Sequence, residues 1–185
     1  ISVLIDNNNS IPSKPTVILD ANTGVELESF DDIKTSRALI KGIGFGGNQK
    51  IGRYQFGNKI AKLDLSRDEY TGICYMENSD VRVVDMNFQY RGPNTPMAFT
   101  CPYSPIDNAY WTGYNEDGYD LTNGAYSPSN DALYIGGLIK KMYRKEYGVE
   151  ALEDRRAPRQ LIMRVHYGRG YANAFWDGWQ MSFGD

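Results

Sequence analysis

Few side chains in this sequence can do chemistry unaided, and their spacing restricts what that chemistry is. There is one histidine, His166. A catalytic zinc site takes about three protein ligands, often His-rich, and a Ser-His-Asp or Cys-His centre would have to be assembled around this single imidazole. A self-contained site of either kind is not expected, and His166 reads as a hydrogen-bonded structural residue. Cys74 and Cys101 form neither a C-x-x-C motif nor a zinc knuckle. Paired, they would close a loop worth about 3–4 kcal/mol in chain entropy; unpaired, they would be two separate thiols. Gly42-x-Gly44-x-x-Gly47 has the spacing of a dinucleotide-binding turn, but that turn needs a strand before it and a helix after it, and β-type sequence follows. The run Tyr171–Gly178 sets the amide Asn173 beside Ala174, Phe175 and Trp176 on a hairpin. An extended peptide can add to such an edge through main-chain hydrogen bonds while an Asn side chain satisfies one of its amides. Tyr110, Trp111, Tyr114 and Tyr119 stand among Asn115, Glu116, Asp117 and Asp120, where aromatics could stack on sugars and acids could hold calcium, although the spacing fits no EF-hand loop.

The elements that must position these residues are mostly strands. Thr16–Leu19 and Val25–Phe30 flank Ala21-Asn22-Thr23-Gly24 as a hairpin. Thr35–Gly47, rich in glycine and basic residues, reads as a flexible junction and the main boundary. Beyond it, Lys50–Phe56, Lys59–Leu65, Gly72–Met76, Val81–Phe88 and Met97–Cys101 are short strands in a meander. Ala132, Ile135, Leu138, Ile139, Met142 and Tyr143 recur at helical spacing, which predicts one long helix over 130–147, capped by Ser129 or Asn130 and stopped by Gly148. Gly136 and Gly137 inside it call for a neighbour packed closely against its middle. Gln160–Tyr167 alternates as a strand, and Asp177-Gly178 predicts a type I′ turn before Trp179–Phe183.

The 185 residues are 41% hydrophobic and 23% charged with a net charge of −3, so a packed core is expected and neither disorder nor low complexity. No basic block suits a row of phosphates and no run is long enough to span a bilayer, so neither nucleic acid nor membrane is expected as a partner.

Val165-His166-Tyr167-Gly168-Arg169-Gly170-Tyr171-Ala172-Asn173-Ala174-Phe175-Trp176-Asp177-Gly178, followed by Met181 and Phe183-Gly184-Asp185, resembles the substrate-binding edge-strand region of thermolysin-like zinc metallopeptidases. Gly46–Tyr54 resembles the start of the mature enzyme in the branch containing pseudolysin and vibriolysin. Asn123–Pro128, Asn130-Asp131-Ala132 and Gly136-Gly137 resemble that branch's first long helix and the turn leading into it. Thr16–Phe30 resembles the end of its propeptide.

The resemblance implies an α+β fold: a β-rich, antiparallel N-terminal lobe over 42–185 with one long helix, preceded over 1–41 by a propeptide C-terminal hairpin and junction. Maturation cleavage is expected near Leu39, Ile40, Lys41 and Gly42, within Leu39–Gly44. Cys74 and Cys101 sit where the branch places a disulfide. The His-Glu-x-x-His zinc helix follows Phe-Gly-Asp in the family, so the resemblance implies no catalytic or metal-ligating residue in this chain, with zinc held by a C-terminal catalytic lobe beyond it. The carry-over is to substrate binding: Asn173 to the substrate backbone through its side chain, Ala174 through its carbonyl, Trp176 through its backbone, and Phe175 as an apolar wall. Leu133 stands where relatives usually have His, and the insertion-like Ile106–Leu121 bears on any calcium site. The expected whole is a secreted neutral endopeptidase made as a zymogen, its partners protein or peptide substrates, its own propeptide and the C-terminal lobe. The opposing reading is a non-catalytic peptide- or glycan-binding β module, or a propeptide-type inhibitor or chaperone.

Overall fold

A computed structural model describes residues 15–31, 37–112, 125–155 and 157–184. The chain divides into two compact units, Ile1–Ala38 with Asp68–Gly72, and Leu39–Arg67 with Ile73–Asp185. In the first, β1 (Pro15–Leu19) and β2 (Glu26–Asp31) form the predicted antiparallel hairpin. Its turn is held by the Asp20 carboxylate, which accepts from the Asn22 N–H at 2.9 Å and the Thr23 N–H at 2.7 Å. These donors favour the ionised form and hold the Asp20 carboxyl below its usual range, Thr23 contributing most.

The second unit begins within β3 (Arg37–Asn48), followed by β4 (Gly52–Phe56), β5 (Leu63–Asp68), β6 (Ile73–Tyr75) and β7 (Val81–Asp85). Then come β8 (Ala98–Thr100), β9 (Tyr103–Ser104), β10 (Ala109–Trp111) and the helix α1 (Pro128–Met142). A short pair, β11 (Glu153–Asp154) with β12 (Ala157–Pro158), leads to β13 (Leu161–Val165), β14 (Ala174–Trp176) and β15 (Gln180–Phe183). The larger sheet has the order β8-β6-β5-β3-β10-β9, with β4 also on β3, and the smaller has the order β14-β15-β13-β7. The unit is strand-rich with one long helix, as the sequence predicts. Parallel ladders join β10 to β3 and β13 to both β15 and β7, long-range pairings that a meander reading does not supply.

The glycine-rich stretch is strand, where a flexible junction was expected. A Cβ on Gly44 would lie 2.0 Å from Thr112 Oγ1, and one on Gly46 would lie 2.3 Å from Asp131 Oδ1. The missing side chains are what let the start of α1 close onto β3. Ser127 caps α1, its Oγ accepting from the Asn130 N–H at 3.3 Å, and Pro128 enters the first turn, where a missing N–H costs nothing. Asn130 Nδ2 donates to the Phe45 carbonyl and to Thr112 Oγ1, both at 2.8 Å. The Asp131 carboxylate accepts from the Gly47 N–H at 2.9 Å and the Tyr54 hydroxyl at 2.8 Å. Burial pushes the Asp131 carboxyl above its usual range, against the opposing pull of these two donors.

From that seat α1 lays Ala132, Leu133 and Gly136 against the core formed by Phe56, Leu63, Leu65, Met76, Val81, Val83, Met163 and Val165. A Cβ on Gly136 would meet Val81 at 3.1 Å, which supplies the expected close neighbour; one on Gly137 would meet nothing. The helix widens into a π turn over Tyr143–Tyr147, ended by Gly148 at φ 67°. Below it the buried Lys140 donates through Nζ to the Arg159 carbonyl at 2.7 Å and lies 3.5 Å from Glu150. Arg144 pairs with Asp80 and, at 2.5 Å, with Glu150.

Gly44→Ala is expected to cost at least about 1–3 kcal/mol through overpacking against Thr112 and Asn130, measured by urea denaturation. The Arg144 hydrogen bond is the main cause holding the Asp80 carboxyl below its ordinary 3.8. Because the folded pKa is depressed, the stability it contributes is complete above the unfolded value and is lost as pH falls through the lower folded value. Asp80→Asn should therefore lower the urea midpoint near neutral pH and flatten its decline below about pH 4.

Candidate functional site: the rim strand β14

β14 lies at the rim of the smaller sheet and pairs antiparallel with β15, in the register Ala174↔Phe183, Phe175↔Ser182 and Trp176↔Met181. Just before the strand, the Asn173 carbonyl accepts from the Gly184 N–H at 2.9 Å; just after it, the Asp177 N–H donates to Gln180 at 3.3 Å. In an antiparallel ladder, bonded residues alternate with residues whose backbone groups point away. Asn173 and Asp177 face β15, so Phe175 does too. The backbone carbonyls of Ala174 and Trp176, and the Trp176 N–H, are therefore directed outward, away from β15. At the entrance, Asn173 is exposed and its Oδ1 accepts from the Ala174 N–H at 2.8 Å. An extended chain laid along this rim would find outward backbone groups at two-residue spacing and a carboxamide beside them.

The side chains divide by face. Phe175 is half-buried, its ring centroid 5.2 Å from that of Tyr167 and 6.2 Å from that of Tyr171. Trp176 is 42% exposed and Trp179 is 61% exposed. The Arg159 guanidinium sits 4.5 Å over the Trp179 ring, and its Nη1 donates to the Trp179 carbonyl at 3.1 Å. The connection is not the predicted type I′ turn, which requires positive φ at both central residues. Of the loop residues only Gly178 has positive φ, at 96°, and Asp177 Oδ1 holds the turn by accepting from Trp179 N–H at 2.8 Å and Gln180 N–H at 3.0 Å.

Among the sequence-derived candidates, Asn173, Ala174, Phe175 and Trp176 come together on this rim. Cys74 on β6 and Cys101, just past β8, form a disulfide with Cα atoms 5.9 Å apart, which removes the two-thiol alternative. Leu39, Ile40, Lys41 and Gly42 run along β3. His166 is not on a strand face: β13 ends at Val165, and His166 turns to φ 52°, buried, with its ring 5.5 Å from that of Phe88. Tyr110 and Trp111, two of the aromatics that could stack on sugars, are half-buried in β10, Tyr110 under Arg67 at 5.1 Å and Trp111 edge-on to Phe45 at 5.3 Å. The acidic stretch Tyr114–Asp120, where calcium or sugar binding was expected, lies outside the described residues.

The sequence reading missed the segment beneath the rim. Asn94 Oδ1 accepts from Arg164 Nε at 2.9 Å and Nη2 at 2.7 Å, and Asn94 Nδ2 donates to Gln180 at 2.8 Å. The Asn94 carbonyl also accepts from Arg82 at 3.2 Å. One asparagine thus ties β7, β13 and β15 together across separations of 12, 70 and 86 residues, and Gly92-Pro93-Asn94 signals only a turn. Among the described residues no group of three or more His, Cys, Asp or Glu is placed to hold a metal ion, and no helix is long and apolar enough to cross a membrane.

Residues 49–185 match the family described as thermolysin metallopeptidase, catalytic domain. The chain is 53% identical to a zinc metalloproteinase of Legionella pneumophila, over all of this chain and 35% of that protein. It is 49% identical to the zinc metalloproteinase MspA of Legionella longbeachae, over all of this chain and 34% of that protein. It is 41% identical to a neutral protease of Vibrio proteolyticus, over 94% of this chain and 26% of that one. The chain thus spans about a third or less of the length of these curated relatives.

A Cβ on Gly184 would lie 1.9 Å from the Tyr171 carbonyl oxygen. Gly184→Ala is therefore expected to push 171–173 off the end of β15, seen as faster amide hydrogen exchange at Asn173–Trp176 and a lower unfolding midpoint.

Proposed function

The chain belongs to the thermolysin family of metallopeptidases, and on that premise we propose that it is the N-terminal part of a secreted, zinc-dependent neutral endopeptidase, to which it supplies the substrate-binding edge. The observation that carries this is the outward set of backbone groups on β14, with Asn173 at its entrance. A substrate in extended conformation adds to β14 as a further antiparallel strand. The Ala174 carbonyl accepts a substrate N–H, Trp176 continues the ladder, and the Asn173 carboxamide bonds the substrate backbone. The half-buried Phe175 ring forms an apolar subsite wall. This recognition reads backbone more than side chains, which suits unfolded or extended protein substrates.

The described residues do not fit zinc, because no metal-binding cluster is found among them. In this reading its ligands belong to a C-terminal catalytic lobe, and what these residues contribute is binding and orientation of the scissile segment. Residues 42–185 are then the N-terminal lobe of the catalytic domain, and 1–41 the end of a propeptide with its junction. Cleavage near Leu39–Gly44 falls within β3, where Gly42 pairs with Tyr110 and Ile43 with Trp111. A protease reaches that stretch only while β3 is out of its sheet, so processing precedes or transiently opens the β3 ladder. The disulfide accords with export from the cell.

The full-length gene product is expected to cleave unfolded casein, to lose that activity with 1,10-phenanthroline and to regain it with added zinc. Asn173→Ala should lower kcat/KM on extended peptides roughly tenfold, the value of one hydrogen bond to substrate. Chelator-insensitive cleavage, or none at all, would overturn the proposal.

A further inference from the structure

The wall residue Phe175 does not stand alone. Its ring meets Tyr167 and Tyr171, whose centroids are 5.6 Å apart, and both of these meet a fourth ring from another part of the chain, Tyr90. Tyr90 lies edge-on to Tyr167 at 5.5 Å and 86°, and to Tyr171 at 6.3 Å and 88°. Edge-to-face pairs at such separations are favourable and directional, so the four rings fix one another's orientation. Tyr90 also covers Gly168: a Cβ there would lie 2.4 Å from Tyr90 Cε1, and Gly168 itself is at φ 73°. The Gly168 N–H donates to the Gln89 carbonyl at 3.2 Å, and the Phe88 N–H donates to the His166 carbonyl at 2.9 Å. Asn87 at φ 45° and Phe88 at φ 59° aim this loop, and such conformations persist where the surroundings over-determine them. Asn94 pins the far end of the same loop to Arg164 and Gln180.

We propose that Tyr90 is a positioning residue for substrate binding: acting through Tyr167 and Tyr171, it sets the Phe175 ring and the line of the Asn173–Trp176 rim, and so determines affinity for the substrate residue that lies against Phe175. The inference rests on the reading of β14 as the substrate-binding edge. Tyr90 makes its ring contacts with Tyr167 and Tyr171, so its removal loosens the wall while the backbone groups of β14 and the Asn173 carboxamide stay in place to bond substrate. It is 54% exposed, so truncation opens no sealed cavity in the core. The contacts are made by the ring, and a phenylalanine keeps them.

The test is steady-state kinetics of the full-length enzyme on two peptides, one with a bulky apolar residue and one with alanine at the position facing Phe175, for Tyr90→Ala, Tyr90→Phe and Asn173→Ala. Tyr90→Ala is expected to raise KM for the bulky peptide roughly three- to tenfold, with kcat within about twofold and little change for the alanine peptide. Tyr90→Phe should behave as the unsubstituted enzyme. A purely structural role would lower the urea midpoint of Tyr90→Ala and leave the ratio between the two peptides unchanged, which would overturn the proposal. So would loss of binding in Tyr90→Phe, since the hydroxyl and not the ring would then be responsible. If Tyr90→Ala has no effect on KM while Asn173→Ala raises it for both peptides, the role of Tyr90 falls and the reading of the edge stands. If neither substitution changes KM, the reading of the edge falls and takes the role of Tyr90 with it.

Discussion

The close approach of α1 to β3 is the constraint on which the second unit is built. Asn130 and Asp131, on the first turn of the helix, reach the backbone of Phe45 and Gly47, and they can do so only because Gly44 and Gly46 have no side chains to stand in the way. The contact fixes the helix along its axis as well as at one end. A slip of one residue would remove Gly136 from Val81 and take Ala132 and Leu133 out of the core. The same helix places Lys140 and Arg144 over Arg159, Glu150 and Asp80, anchoring the starts of β7 and β13. Those two strands carry β15, and β15 carries the rim.

The local parts of this arrangement are legible in the sequence. Helical spacing from Ala132 to Tyr143 gives α1, Asp20–Gly24 gives the first hairpin, and the run Asn173–Phe183 gives the last one, because each is specified by neighbours in the chain; that β14 lies at the rim comes only from the family resemblance. What the sequence hides is of two kinds. Glycine is equally suited to a mobile linker and to a strand under a helix, so Gly42–Gly47 cannot be told apart without knowing that Asn130 comes down on it. Parallel ladders and the ties of Asn94 join residues far apart in sequence, and no local pattern announces them. His166 shows a third case: period-two alternation continues through it on paper, but the backbone leaves the strand there, at φ 52°, to meet Phe88.

Strain and charge are also distributed unevenly. The left-handed residues Asn87, Phe88 and His166 lie at the ends of β7 and β13 nearest the segment that leads into β14, whereas the ionic contacts of the buried Lys140 and the exposed Arg144 lie at the starts of those strands. The two ends of one parallel pair are thus held by different physics. The ionic end responds to pH through the Asp80 carboxylate, and the other is held by ring contacts and backbone hydrogen bonds.

The disulfide acquires a further meaning from what it encloses. Cys74 and Cys101 are 27 residues apart, and the covalent ring they close contains β7, Tyr90 and Asn94. Every contact by which that loop supports the rim is therefore made by a tethered segment whose freedom in the unfolded chain has already been reduced, by an amount worth about 3–4 kcal/mol. In a reducing compartment the same rings and hydrogen bonds would have to gather an untethered loop against that entropy. The quality of the rim would then depend on the thiol balance of the surroundings, although neither cysteine lies on it.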